Sequence, residues 1–236
     1  MTAQLDLGLD PGPAQLPLDL PWTPDHDRAA IVETPALRPA LAIIDAWPDW
    51  HAPCTILTGP AGCGKTHLAS VWASRAEGVQ LSARSLARMA TDRAGTRFAF
   101  IENADIVLRG ERSRAVQTGL FHLINHVRGE GGNLLLTARS EPSRWHVDIP
   151  DLASRLNAAT HVRLPEPDGE LLRAVVEKLF SDRQMQVGPE LVGYLIDRME
   201  RSLGMARHVV AGLDRMALAE GRKPDRRMAD RVLATL

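Results

Sequence analysis

The chain has 236 residues, of which 44% are hydrophobic and 24% charged, and its formal net charge is -1. These fractions are typical of a globular protein and exclude collagen, a coiled coil and a wholly disordered chain. The near-neutral charge excludes a strongly basic nucleic-acid-binding protein, and no uncharged stretch is long enough for a membrane helix. Two cysteines are too few for a disulfide framework, and the N-terminus has no secretory signal, so we expect a cytoplasmic protein.

Residues 1–27 differ in composition from the rest of the chain. They contain five prolines and neither Lys nor Arg. Such a composition predicts an extended and mobile N-terminal tail.

Residues 28–165 show short apolar runs that alternate with longer amphipathic stretches. The runs predict strands at 55–58, 79–81, 98–101, 134–136 and 161–164, and the stretches between them predict helices at 66–76, 85–89 and 114–127. This alternation predicts an α/β domain with a central parallel sheet and helices on both faces. After Pro165 and Pro167 the strand pattern ends, and four helical stretches predict a small all-α domain over 166–236.

The strongest chemical signal follows the first predicted strand. The sequence Gly59-Pro60-Ala61-Gly62-Cys63-Gly64-Lys65-Thr66 matches the P-loop pattern G-x-x-x-x-G-K-[ST], with a predicted helix behind it. In such a loop, backbone N–H groups surround phosphate oxygens at the positive end of a helix. We therefore expect all eight residues to bind the nucleotide, with Lys65 at the β- and γ-phosphates and Thr66 on Mg²⁺.

A P-loop also needs a carboxylate at the end of a neighbouring strand. Glu102 follows the predicted strand 98–101 and is the candidate second magnesium residue. Many related ATPases have a second carboxylate next, which orients the attacking water, but this chain has Asn103. We therefore expect slow or no ATP hydrolysis by the isolated protein. Asp105 is a rival for the missing role, although a helix N-cap or turn is its more ordinary use.

Together these motifs resemble those of AAA+ P-loop ATPases, and they are closest to the DnaA/Hda family, in particular to its shorter regulatory members. The resemblance covers nearly the whole chain and implies ATP or ADP as ligand. It also implies three site residues. Arg155, in Pro150-Asp151-Leu152-Ala153-Ser154-Arg155-Leu156, matches an arginine finger that acts in trans; Thr137 matches sensor 1; and Arg207, in Gly204-Met205-Ala206-Arg207, matches the nucleotide-contacting sensor 2 of the lid.

The tail carries a further resemblance. Gln15-Leu16-Pro17-Leu18-Asp19-Leu20 is similar to the hexapeptide by which bacterial proteins bind the β sliding clamp. In that mode an extended peptide places Leu18 and Leu20 in an apolar pocket, while Gln15 makes amide hydrogen bonds. Residues 4–9 repeat the pattern Q-L-x-L-x-L, so either copy is a candidate. The alternative is a leucine-bearing tail that packs on its own domain.

The resemblance implies an adaptor that binds the clamp and stimulates ATP hydrolysis by DnaA, which restrains initiation of chromosome replication. A self-contained AAA+ ATPase or loader, and a clamp-binding scaffold with a structural nucleotide, are the alternatives. Because the chain ends where the lid should end, no sequence-specific DNA binding is expected; a homo-oligomer is left open.

Two departures from the family pattern affect the nucleotide. Residues 29–35 lack the Phe and Asn that usually surround the adenine, so Ile31 and Val32 are the candidate base contacts. Glu102 is one methylene longer than the usual Asp, which favours an ADP-bound resting state.

Overall fold

The computed structural model describes Arg28 and residues 31–92, 95–110 and 113–235. The tail and both clamp-type motifs, at 4–9 and 15–20, lie outside the described residues. The strands are β1 Cys54–Thr58, β2 Val79–Gln80, β3 Phe98–Ile101, β4 Asn133–Ala138 and β5 Thr160–Arg163. The helices are α1 Arg38–Asp45, α2 Lys65–Ala76, α3 Ala83–Asp92, α4 Ala104–Val107, α5 Ser113–Gly129, α6 Pro150–Asn157, α7 Gly169–Asp182, α8 Pro189–Ile196, α9 Leu203–Glu220 and α10 Arg226–Leu233.

The five strands form one sheet in the order β2-β3-β4-β1-β5, and every pairing is parallel. The predicted α/β class is therefore confirmed. All residues of β1 and β4 are buried, because helices cover both faces of the sheet, and this is why these strands are continuous apolar runs in the sequence. The carboxyl ends of β1, β3 and β4 meet at one edge, where the P-loop begins.

Successive residues of the strands point alternately into two hydrophobic clusters, one on each face of the sheet. Ile56 and Leu134 belong to the cluster beneath α5, and Leu57 and Leu135 belong to the other. The second cluster continues into helices α7–α10 through residues such as Leu172, Val209 and Met228. The helical segment after Pro165 therefore shares its core with the sheet.

Trp72 lies at the centre of an aromatic group in this second cluster. Its ring stacks on Trp50 at 5.2 Å between centroids and meets the edge of Trp47 at 6.5 Å. Trp47 and Trp50 thus pack as part of the core. Across the described ranges, no helix has both the length and the apolar character that crossing a membrane requires.

Candidate functional site

The loop between β1 and α2 is shaped by its glycines. Gly59, Gly62 and Gly64 have φ angles of 152°, 74° and 101°, in the region that favours glycine. A Cβ at Gly59 would overlap the carbonyl oxygen of Leu164, and a Cβ at Gly62 would overlap the side chain of Ser202. The backbone therefore needs glycine at these two positions for both its conformation and its close contacts.

Lys65 begins α2 and turns back into the loop. Its side chain is buried, and its Nζ donates to the carbonyl oxygens of Gly59 at 2.8 Å and Pro60 at 2.6 Å. The loop thus encloses a cation at the N-terminus of a 12-residue helix. Both features attract an anion, since the first N–H groups of a helix have no partner within the helix.

The N-terminus of α9 closes the same loop from the other side. The N–H of Leu203 donates to the carbonyl oxygen of Gly62 at 2.9 Å. Ser202 caps this helix by accepting from the N–H of Met205 at 3.3 Å. Two helix N-termini therefore converge on the loop.

A cleft lies between the loop, the sheet edge and α9. Three cationic side chains, Lys65, Arg139 and Arg207, line it, and none of its described lining residues is acidic. Burial lowers the pKa of Arg207, so a bound anion would stabilise this guanidinium. The lining residues are Ala61, Gly62, Gly64, Lys65, Thr66, His67, Asn103, Arg139, Leu203, Gly204 and Arg207.

An apolar pocket adjoins this cleft and shares Gly64, His67, Leu203 and Arg207 with it. Ile31 and Val32 line the pocket, together with apolar side chains of α2 and α7. An apolar pocket continuous with a cationic cleft suits a ligand with a flat base at one end and phosphates at the other. The assignment of Ile31 and Val32 as base contacts stays a prediction.

The comparisons with known proteins agree with this architecture. No family model matches the chain. The replication initiator DnaA of Caulobacter vibrioides is 26% identical over an alignment of 213 positions, which covers 80% of this chain and 43% of that protein. The chain therefore spans less than half of that relative. Domain III of Thermotoga maritima DnaA superposes with a TM-score of 0.76 at 19% identity, covering 92% of this chain and 98% of that one.

The chain therefore has the fold of the AAA+ domain of DnaA. AMPPCP-bound DnaA from Aquifex aeolicus has the same fold, with a TM-score of 0.68 at 17% identity over 84% of this chain and 68% of that one.

Thr137, the predicted sensor 1 residue, lies near the carboxyl end of β4. Thr137 is buried, and its Oγ1 accepts from the backbone N–H of Asn103 at 3.1 Å. Thr137 therefore holds the turn after β3 and is absent from the described cleft lining. Arg139, two residues later, lines the cleft instead, and sequence reasoning missed it.

Two contacts fix the backbone beside Arg139. The N–H of Gly59 donates to the carbonyl oxygen of Ala138 at 3.3 Å, and the N–H of Arg139 donates to Oδ2 of Asp105 at 3.3 Å. The only sequence signal for Arg139 was its position directly after a strand that ends at the P-loop edge.

The two carboxylates considered for magnesium binding and water activation, Glu102 and Asp105, lie in different environments. Glu102 follows β3 directly and is half-buried, while Asn103 lines the cleft. Of the two ordinary uses expected for Asp105, the N-cap position of α4 is taken by Asn103, and Asp105 lies inside the first turn of that helix, 6% exposed. Oδ1 of Asp105 has no hydrogen-bond partner among the described residues, and its side chain is outside the described lining of the cleft.

Arg155 lies in the last turn of α6. Its guanidinium carbon is 5.1 Å from the ring centroid of Phe121 on α5. Within the described part of the chain, Arg155 has no carboxylate at ion-pair distance and does not line the cleft. Arg155 is therefore placed on α6 against α5 and not among the described residues of the cleft.

Two oxygen-bearing side chains are the predicted magnesium residues. Thr66 in the first turn of α2 lines the cleft with an exposed side chain, and Glu102 lies at the end of a neighbouring strand. Mg²⁺ prefers hard oxygen ligands and is commonly held by one or two side chains together with phosphates. Thr66 and Glu102 stay the predicted residues that would hold it, and Glu102 is not among the described residues that line the cleft.

Proposed function

We propose that the chain is a nucleotide-bound AAA+ adaptor of the Hda type, which binds the β sliding clamp and stimulates ATP hydrolysis by DnaA. Hydrolysis converts DnaA to a form that does not initiate, so the adaptor restrains chromosome replication. The position of Arg155 carries this proposal.

Arg155 is suited to act on another subunit. A guanidinium that faces its own phosphates would line the cleft with Lys65 and Arg207, but Arg155 lies on α6 against Phe121. Placed against ATP held by DnaA, it would stabilise the negative charge that develops on the transferring phosphoryl group. Arginines supplied in trans accelerate related reactions by roughly 10³–10⁵.

The chain's own nucleotide, ATP or ADP with Mg²⁺, would have a different role. The cationic cleft and the adjoining apolar pocket support its binding, as does the fold shared with AMPPCP-bound DnaA. Asn103 lines the cleft where a second carboxylate would orient water, and an amide cannot accept that proton. We therefore propose weak intrinsic hydrolysis and a bound nucleotide that stabilises the adaptor conformation. Glu102 favours ADP as the resting ligand.

Residues 15–20 would bring the adaptor to the clamp, with Gln15, Leu16, Leu18 and Leu20 as the contacts. Tethering on DNA raises the effective concentration of Arg155 near DnaA without any new contact.

The test follows radiolabelled ATP bound to DnaA on DNA that carries loaded clamp. The wild-type chain should accelerate ADP formation, and Arg155→Ala should abolish the acceleration while Arg84→Ala, an exposed arginine on α3, retains it. Gln15→Ala should remove the dependence on clamp, and Gln4→Ala reports whether the second motif contributes.

Two other outcomes identify the alternatives. If clamp binding persists but ADP formation by DnaA is unchanged, the chain is a scaffold. If the isolated chain hydrolyses ATP at several turnovers per minute, it is a self-contained AAA+ ATPase.

A further inference from the structure

A chain of hydrogen bonds connects the end of β1 to the end of α6. Oγ1 of Thr58 donates to Oε1 of Glu141 at 3.0 Å. The other oxygen of that carboxylate, Oε2, lies 3.3 Å from Nδ1 of His161. The second ring nitrogen, Nε2, lies 3.1 Å from the carbonyl oxygen of Leu156.

Both ring nitrogens of His161 therefore face acceptors. A neutral imidazole has one N–H and can donate to only one of them, whereas the imidazolium donates to both. The carbonyl of Leu156 lies in the last turn of α6. Among the described residues, the Glu141 carboxylate is the charged group in contact with the ring. The ring thus bridges the Glu141 carboxylate and the Leu156 carbonyl.

Each end of this hydrogen-bond network lies next to a residue of a predicted site. Thr58 immediately precedes Gly59, whose carbonyl oxygen accepts from Lys65 at 2.8 Å. Leu156 immediately follows Arg155 in α6. The network thus begins beside the residue that holds the P-loop lysine and ends beside the proposed arginine finger.

We propose that His161 is a positioning residue that couples phosphate binding at the P-loop to the orientation of Arg155. When the Nζ of Lys65 leaves the Gly59 carbonyl oxygen to bind a phosphate oxygen, the backbone at Thr58 and Gly59 loses that hydrogen bond and is free to shift. The hydroxyl of Thr58, the carboxylate of Glu141 and the ring of His161 transmit this change to the last turn of α6. This inference rests on the proposed function only where it treats Arg155 as acting on a partner's nucleotide.

The first test needs no partner. Hydrogen exchange of the amides in residues 150–157 is measured in the full chain, with and without ATP or ADP and Mg²⁺. In wild type, nucleotide should slow this exchange about ten-fold. In His161→Gln the change should vanish, because the single amide nitrogen of glutamine cannot reach two acceptors that lie beside opposite nitrogens of the imidazole ring. His51→Ala, an exposed histidine before β1, is the matched control and should respond like wild type.

Two conservative substitutions of Thr58 distinguish a role of its hydroxyl group from a purely structural role of its side chain. Thr58→Ser keeps the hydroxyl donor and should retain the response of α6, while the near-isosteric Thr58→Val should lose it. Nucleotide affinity and thermal unfolding are measured for each variant, so that a misfolded protein is recognised.

The second test uses stimulated hydrolysis by DnaA on loaded clamp. His161→Gln should lower the maximal rate roughly 3- to 30-fold, because small displacements of a catalytic group are costly. The adaptor concentration that gives half-maximal rate should not change.

The outcomes separate the two proposals. Coupling in wild type but not in His161→Gln, without any stimulation of DnaA, supports the network and overturns the adaptor function. Equal exchange responses in wild type and His161→Gln, or no response in wild type, overturn the network whatever DnaA does.

Discussion

The backbone N–H of Leu203 lies within 2.9 Å of the Gly62 carbonyl oxygen, which ties the first residue of α9 to the P-loop. The two residues are 141 positions apart in the sequence, yet this bond and the contact of Ser202 with Gly62 make the loop and the helical lid one surface. Arg207, one turn further along α9, is held over the cleft by the same contacts. The position of α9 and the conformation of the P-loop are therefore linked through Gly62.

Gly62→Ala tests this link. The alanine would be strained at φ 74° and its Cβ would overlap Ser202, so the lid helix must shift. We expect a loss of roughly 1–3 kcal/mol in the free energy of unfolding, and at least ten-fold weaker nucleotide binding. Urea unfolding and fluorescent-nucleotide titration measure the two effects. Gly169→Ala is the control, since nothing lies within 4 Å of its added Cβ; equal behaviour of the two variants would contradict the link.

Arg139→Ala tests the third cation of the cleft. Arg139 lines the cleft but not the adjoining apolar pocket, so it lies toward the end where a terminal phosphate would bind. A charge-assisted hydrogen bond contributes about 1.5–3 kcal/mol, so affinity for a non-hydrolysable ATP analogue should fall roughly 10- to 100-fold. Affinity for ADP should fall less. Calorimetric titration compares both ligands with those of Arg88→Ala on α3; equal losses for ATP analogue and ADP would place Arg139 elsewhere.

Much of the fold could be predicted because its signals are local. β1 and β4 are apolar runs, the P-loop is eight consecutive residues, and the prolines after β5 mark where strands give way to helices. The roles of Thr137 and Arg139 could not be separated in this way. They depend on the register in which Leu57 lies opposite Thr137 and Thr58 opposite Ala138, which buries the threonine and leaves the arginine beyond the strand.

The bonds of Glu141 have no sequence signature either. Its partners Thr58 and His161 are 83 and 20 residues away, and the sheet order β4-β1-β5 is what brings them together. No periodicity or motif in the sequence indicates that these three residues are hydrogen-bonded, because each by itself is an ordinary polar side chain.

Cys54 provides a prediction about stability at alkaline pH. Burial raises the pKa of its thiol to about 12, whereas an unfolded chain ionises it near its ordinary value of 9.0. The contribution of the Cys54 thiol to the free energy of unfolding is therefore fully present below about pH 9. It is lost as the pH rises toward 12. Between pH 8 and 10, wild type should lose about 1.4 kcal/mol more than Cys54→Ala. Urea unfolding at the two pH values measures this, and parallel losses would show that Cys54 is not the source.

Asn103→Asp tests why intrinsic hydrolysis should be weak. Asn103 has φ 50° and ψ 49°, a left-handed conformation that Asp tolerates nearly as well as Asn. Its backbone N–H bond to Thr137 does not involve the side chain, so the substitution should preserve the turn. A carboxylate here could accept a proton from water beside the terminal phosphate, and general bases contribute typically 10²–10⁴ in rate. We expect a gain of at least ten-fold in turnover by the isolated chain, measured by phosphate release.

Asn125→Asp makes the same charge change on α5 and should leave turnover at the wild-type level. If Asn103→Asp also stays at that level while binding nucleotide normally, then the missing carboxylate is not what limits hydrolysis, and the geometry of Glu102 becomes the better explanation.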